Sequence, residues 1–234
     1  MPEPKAILLD FYGTVVEEDE APVSLACSEI VKSSSRALKL EELTSFWWNT
    51  FGDLCANSYG DTFQYEKELG QESLRRAIRH FKVDTDSERI TQLLSRYWDE
   101  YWGKPSIFPE SRGVIVRIKD RGTPICLVSN IDNAVLDSAL KYNGLSFDMI
   151  VTSEDCRSYK PRYEMFQKAL SLLSLSNDEV LHVGDSLRAD VRGAKCMKIP
   201  VLWINRKNGL IPQQSEQPDF IATDLTGIIK FFGW

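Results

Sequence analysis

The sequence predicts an α/β protein, a central parallel sheet covered by helices and interrupted by an inserted all-helical domain. Three observations carry this expectation. From residue 108 onward, short apolar runs alternate with segments of helical length and periodicity, the pattern of repeated βαβ units. One similar run, Ile7-Leu8-Leu9, stands alone near the start. Between the two lies an aromatic-rich block whose apolar residues recur at helical spacing and which contains no strand-like run. Residues 1–15 and 104–234 are therefore assigned to an α/β core domain, and residues 16–103 to a helical domain.

Residues 7–9 read as a strand buried on both faces, because parallel strands carry helices on either side. Asp10 ends that strand, and Gly13 follows in a turn. The acidic run Glu17-Glu18-Asp19-Glu20 reads as a solvated turn. Helices are expected over residues 21–38, 40–57, 71–81 and 87–102, with Gly60-Asp61 as a breaker. Pro109-Glu110-Ser111 opens a helix running to residue 120, and Gly122 stops it. A strand over 124–128 ends at Ser129-Asn130, and Asp132 is placed to cap a helix over 133–142. A strand over 147–151, a helix over 163–173, a strand over 180–183 and a helix over 189–196 continue the alternation. Strands over 201–204 and 220–222 and a helix over 225–232 close it.

The 234 residues carry a net charge of −6 and no long basic run, which argues against nucleic acid and anionic membrane as partners. A small anionic substrate held by one or two cations stays open. The five cysteines, Cys27, Cys55, Cys126, Cys156 and Cys196, are odd in number and lack C-x-x-C spacing, so a reducing, cytoplasmic setting is expected. The apolar run at 6–9 is too short for a signal peptide, and no stretch nears the roughly 20 residues that span a bilayer. The two histidines, His80 and His182, are too few for a His-rich metal site. The chain is expected to act as a monomer or a homodimer.

Four strands end in, or lead to, polar groups: Asp10, Ser129-Asn130, Lys160 and Asp185. A parallel sheet brings such ends to one edge, where ligands bind. Two carboxylates suit Mg²⁺, a hydroxyl and an ammonium suit a phosphoryl group, and Asp10 is then a plausible nucleophile. At this point the chain resembles the haloacid dehalogenase-like (HAD) hydrolase superfamily. The D-x-D-x-[TV] motif corresponds to Asp10-Phe11-Tyr12-Gly13-Thr14, and a Ser closing a strand to Ser129. The Lys-Pro motif corresponds to Lys160-Pro161, and G-D-x-x-x-x-D to Gly184-Asp185 through Asp190. The order holds across nearly the whole chain, and residues 16–103 fall where the family's helical C1 cap sits. The resemblance implies a Rossmann-like three-layer core with Asp10 as nucleophile. It assigns Asp10, the Tyr12 carbonyl, Asp185 and Asp190 to Mg²⁺. Ser129 and Lys160 would take the phosphoryl oxygens with help from Phe11, Tyr12 and Asn130, and Thr14 would steady the Asp10 loop.

Position 12 departs from the phosphatase pattern, in which a second Asp protonates the leaving group and activates water. Such help is worth about 10²–10⁴ in rate, and a phenol of pKa near 10 replaces it poorly. D-x-Y-G-T resembles instead the L-2-haloacid dehalogenase branch, which displaces halide without a metal. That branch has a neutral residue where this chain has Asp185, and a halide-binding arginine in its cap. Phe46-Trp47-Trp48-Asn49 stands about where that arginine is sought, with Arg36 some way before. An Mg²⁺-dependent phosphohydrolase is taken as the leading reading, a metal-independent 2-haloacid dehalogenase as its alternative, and a catalytically weak binding or regulatory domain as a third. Trp47, Trp48, Trp98 and Trp102 with Tyr97 and Tyr101 read as packing before they read as a substrate pocket. His182 reads as a strand side chain, Cys126 and Cys156 as small buried hydrophobes, and Arg188 and Arg192 as solvent-facing.

Overall fold

The computed structural model describes residues 3–35 and 37–234. Arg36 lies outside the described residues. Contacts divide the chain into two units. The first takes the described residues of Met1–Glu17 with Ser106–Asn130 and Gly144–Trp234, and the second takes Glu18–Pro105 and Ile131–Asn143.

The first unit is built on six parallel strands: β1 (Ala6–Leu9), β2 (Ile125–Ser129), β3 (Met149–Thr152), β4 (Val180–Gly184), β5 (Val201–Ile204) and β6 (Phe220–Ala222). Their order is β3-β2-β1-β4-β5-β6. Chain direction across the sheet reverses between β1 and β4, so a crevice opens at the carboxyl ends of those two strands. Register fixes which residues meet there. Leu9 pairs with Leu127 on one side and Val183 on the other, and the Asp10 amide donates to the Val183 carbonyl at 2.9 Å. Asp10 and Asp185 therefore leave neighbouring strands at nearly the same level.

Side chains alternate across the pleat, so each strand supplies two faces. Ala6, Leu8, Cys126, Val128 and Val151 share one buried cluster with Met165, Phe166, Ala169 and Leu170 of the helix Glu164–Leu173. The pairs 165/169 and 166/170 have the i, i+4 spacing that puts them on one helix face. Ile7, Leu9, Ile125 and Leu127 alternate to the opposite face and are equally buried.

In chain order the helices are α1 (Ala21–Ser33), α2 (Leu40–Asn57), α3 (Glu66–Phe81), α4 (Ser87–Tyr97), α5 (Ser111–Asp120), α6 (Asn133–Asn143), α7 (Ser153–Cys156), α8 (Glu164–Leu173), α9 (Arg192–Cys196) and α10 (Thr226–Phe232). Several bounds differ from those expected. The segment expected as one helix over 87–102 is α4 followed by a π-helical turn, Trp98–Trp102. A second π-helical turn, Leu187–Val191, precedes α9 and replaces the start of the helix expected over 189–196. Asp132 stands at the start of α6, its carbonyl accepting from the Val135 and Leu136 amides, and its carboxylate also meets the start of α3, where Oδ1 accepts from the Glu66 amide (2.8 Å) and Oδ2 from the Lys67 amide (3.1 Å). A carboxylate at a helix N-terminus satisfies orphan amides and the helix dipole together. That contact and the Asn143 amide on the Pro105 carbonyl (2.9 Å) group α6 with the helical unit.

The helical unit packs around tryptophan. Trp47 stacks on Phe51 at 4.8 Å, and Trp98 meets Trp102 edge-on at 4.0 Å. The Trp47 indole donates to the Gly70 carbonyl at 3.0 Å and the Trp102 indole to the Asp19 carbonyl at 2.8 Å. Gly70 is required by this packing, because a Cβ there would overlap the Trp98 ring. Trp47, Phe51, Trp98 and Trp102 thus pack against one another within this unit. Phe46 of the segment considered for a halide-binding arginine stacks on His80 at 4.4 Å. Among the described residues no helix is long and apolar enough to cross a membrane.

Candidate active site

β1 ends at Leu9, and Asp10 emerges at the switch point, 7% exposed. The chain then turns tightly. The Phe11 carbonyl accepts from the amides of Thr14, Val15 and Val16, and Gly13 adopts φ +77°. A residue with a Cβ at position 13 would run into the Asp185 carboxylate, so Gly13 answers both a left-handed backbone and a close approach. Phe11 is fully buried, and its ring meets Tyr12 edge-on at 5.1 Å. Thr14 is fully buried, with Oγ1 at 3.4 Å from Asp185 Oδ1.

Lys160 is the centre of the charge network. It is 3% exposed, and its Nζ donates to Asp10 Oδ1 (2.7 Å), Asp190 Oδ1 (2.7 Å) and the Val128 carbonyl (2.8 Å). All three ammonium protons have acceptors. Asn130 holds the same residue by its backbone: its Oδ1 accepts from the Lys160 amide (2.7 Å), and its Nδ2 donates to the Lys160 carbonyl (3.1 Å). The Asn130 amide thus helps to place Lys160. Ser129 is buried at the end of β2, opposite Thr152 of β3 in the register.

Asp190 comes from the second π-helical turn. Its Oδ1 accepts from Lys160 Nζ and lies 2.9 Å from His182 Nε2, while its Oδ2 accepts from the Ser186 amide at 3.0 Å. His182 is fully buried in β4, edge-on to Phe166 at 5.0 Å. Its Nδ1 has no hydrogen-bond partner among the described residues, so Nε2 carries the proton that binds Asp190. Sequence reasoning set His182 aside as a strand side chain. It is one, but it also orients a site carboxylate. The available signal was a lone imidazole inside the apolar strand Val180-Leu181-His182-Val183, where a buried polar group requires a partner. Trp203 and Arg206 were missed as well. Trp203 Nε1 donates to the Asp185 carbonyl at 2.7 Å, and Arg206 Nη2 to the Thr14 carbonyl at 2.7 Å.

One ammonium facing two buried carboxylates cannot stabilise both equally. For Asp190, burial pushes the pKa up, but the Lys160 charge and the His182 hydrogen bond outweigh it and hold the group well below the usual carboxylate range. For Asp10 burial dominates, and Lys160 offsets it only in part, so its pKa is raised. For Lys160 burial disfavours the charge, but Asp10 and Asp190 reverse that and raise its pKa. Asp190 thus has the larger share of the Lys160 charge, and Asp10 the smaller. Burial pushes the Cys126 thiol up to about 12 and Cys156 to about 11, as for unreactive packed thiols. Arg188 and Arg192 are exposed.

Asp10, Asp185 and Asp190 each bring a carboxylate oxygen within 4.8 Å of the others. Hard oxygen donors of this kind fit Mg²⁺. Asp190 has the least to offer, since both of its oxygens already accept hydrogen bonds.

The profile of the haloacid dehalogenase-like hydrolases matches residues 4–198. The chain is 25% identical to an (S)-2-haloacid dehalogenase of Pseudomonas sp. (strain YL), over 97% of this chain and 94% of that one. It is 24% identical to pyrophosphatase PpaX of Bacillus cereus (strain ATCC 10987 / NRS 248), over 95% and 94%. In fold it is similar to the Bacillus subtilis HAD-hydrolase YfnB, solved bound to magnesium, with a TM-score of 0.76, 18% identity and coverage of 99% and 100%. Dehalogenase names predominate among the curated relatives, which does not support the order of preference drawn from the motifs. With its motifs on one edge of a parallel sheet in the order the family has them, the chain belongs to the haloacid dehalogenase-like hydrolases.

Proposed function

We propose that Asp10 attacks a small organic substrate, displaces a leaving group and forms a covalent ester that water then hydrolyses. The observation that carries this is the placement of Asp10: a buried carboxylate at the switch point, of raised pKa, held by the Lys160 ammonium at 2.7 Å. For the electrophile, the relatives support a 2-haloacid most. An Asp10 oxygen would bond to the halogen-bearing carbon, and the halide would leave with the bonding pair. Hydrolysis of the ester would then release a 2-hydroxy acid and restore the carboxylate. This displacement needs no proton for the leaving group, which agrees with Tyr12 standing where a phosphatase has its acid. Asp190 and His182 keep Lys160 charged and in place throughout.

A second reading rests on the carboxylate cluster. Asp185 adds a further negative group to a site where Lys160 already faces Asp10 and Asp190, and a divalent cation would offset that excess. Asp10, the Tyr12 carbonyl and Asp185 would hold Mg²⁺, which supplies charge neutralisation for a phosphoryl group. Asp10 would then carry an aspartyl-phosphate. With no Asp at position 12, such an enzyme favours leaving groups of low pKa. Tyr12→Asp is then expected to raise turnover of alkyl phosphates by about 10²-fold while changing aryl phosphates little, read from initial rates on one of each.

The deciding experiment assays the purified chain twice. Chloride release from (S)-2-chloropropionate in EDTA supports the first reading. Mg²⁺-dependent release of p-nitrophenol from p-nitrophenyl phosphate supports the second. Asp10→Asn is expected to lower whichever rate is found by about 10⁴-fold or more. Turnover in neither assay, or turnover indifferent to Asp10→Asn, removes Asp10 as the nucleophile for these substrates and favours the third reading, a binding or regulatory domain.

A further inference from the structure

Arg206 lies just after β5, far in sequence from every motif of the site. Its side chain is 18% exposed. Nε donates to the Gly13 carbonyl at 3.2 Å, and Nη2 donates both to the Thr14 carbonyl and to Glu110 Oε1 at 2.7 Å. The guanidinium lies over the Phe108 ring, with Cζ 3.5 Å from its centroid. Glu110 matches the charge, so Arg206 is not a spare cation awaiting an anion.

These partners come from two stretches that are themselves joined. Val16 forms an antiparallel bridge with Ile107. The Phe108 amide donates to the Val15 carbonyl (3.2 Å), the Glu17 amide to the Ser106 carbonyl (2.8 Å) and Ser111 Oγ to the Val15 carbonyl (2.8 Å). Residues 15–17 and 106–108 are where the chain leaves the α/β unit and where it returns. The Asp10 loop is continuous with the outgoing stretch, and Arg206 binds the loop together with Phe108 and Glu110 after the return.

We propose that Arg206 is a positioning residue for the reaction at Asp10. It ties the Gly13 and Thr14 carbonyls of the Asp10 loop to Phe108 and Glu110 of the returning stretch and so fixes the attitude of the attacking carboxylate. The residue type suits the task. A planar fork reaches two consecutive carbonyls and a carboxylate together while its face stacks on a ring, which a lysine ammonium cannot do. The loop needs such a brace, because Gly13 sits at φ +77° and adds no side chain of its own. The structural part of the proposal stands on geometry alone. Its kinetic part rests on Asp10 being the reacting group.

The test compares wild type, Arg206→Met and Arg206→Lys as full-length chains, by hydrogen exchange, thermal unfolding and steady-state kinetics on whichever substrate wild type turns over. Arg206→Met is expected to speed exchange of the residue 14–17 amides about tenfold or more, with β4 and β5 still protected. kcat is expected to fall about 10²-fold, with KM changed less than about threefold. Arg206→Lys is expected to recover little of either, and Glu110→Gln to show the same local effect more weakly. Unchanged exchange at 14–17 in a folded Arg206→Met protein overturns the proposal, as does a full kcat for that variant. Should Arg206→Met fail to fold, Arg206→Lys with wild-type exchange and kcat overturns it too. Wild type inactive in both assays counts against the proposed function and leaves the exchange result to judge Arg206.

Discussion

Two sets of polar groups are buried to a similar depth in this molecule, one in each unit. In the helical unit they include indole nitrogens, beside the Asp132 carboxylate that accepts from the α3 amides. Those of Trp47 and Trp102 each donate to a main-chain carbonyl, and the rings supply apolar area. In the α/β unit they are an ammonium, carboxylates and an imidazole, packed around Lys160. A neutral hydrogen bond gains about 1 kcal/mol net. Burying ions costs several kcal/mol each before pairing recovers it, and an apolar replacement of similar volume is often as stable. A fold seeking only stability has no reason for the second arrangement. The contrast is therefore between polar groups tied singly to the main chain in the helical unit and an ammonium, carboxylates and an imidazole tied to one another in the α/β unit, which is the arrangement the proposed reaction at Asp10 would use.

The contrast can be broken by mutation. Lys160→Met leaves Asp10 and Asp190 buried without their cation and is expected to cost about 3–5 kcal/mol, read from urea unfolding. A cost under about 1 kcal/mol would mean that the network is solvated and the comparison fails. Gly70→Ala drives a methyl into the Trp98 ring and is expected to cost about 1–3 kcal/mol by the same measurement. Activity per folded molecule should stay unchanged, which sharpens the assignment of the tryptophans to packing.

The smallest expected effect is on pH dependence. The pKa of Asp10 is raised by folding, so the folded state favours its protonated form, and this group's contribution to stability declines as pH rises from its unfolded to its folded pKa. Asp190 is depressed, so its contribution is present above its unfolded pKa and is lost as pH falls toward its folded one. The nucleophile must be ionised. In EDTA, the acid limb of kcat/KM should therefore lie above the pKa of an ordinary aspartate. A limb at or below that value would show that Asp10, not Asp190, is the main beneficiary of Lys160.

Much of this was legible before the structure. Asp10, Ser129 and Asp185 mark strand ends, and a parallel sheet must bring its strand ends together. Lys160 was legible from its place shortly after a strand. Other features were not, for definite reasons. Arg206 reaches the Asp10 loop through the Gly13 and Thr14 carbonyls, which every residue has, and its side-chain partners Phe108 and Glu110 lie about a hundred residues away, so the link leaves no trace in sequence. Trp203 acts on the Asp185 carbonyl and is hidden in the same way. The π-helical turn at 187–191 differs from an α-helix by one residue of hydrogen-bond spacing, below the resolution of apolar periodicity. The place of Asp132 ahead of α6 was legible because it is local, while its second contact, with the α3 amides, was not, because the arrival of α3 beside it leaves no local signal.

The reciprocal pair between Asn130 and Lys160 has a consequence of its own. Asn130 turns its amide oxygen and one of its two N–H groups to the Lys160 backbone, the same two functions a neighbouring strand would present there. Asn130 thus counterfeits a rung of the ladder one step beyond the sheet's edge. The backbone that bears the lysine is tied to the strand framework as though it were woven into it, although it lies in a loop. On warming, that loop should loosen with the sheet and not before it.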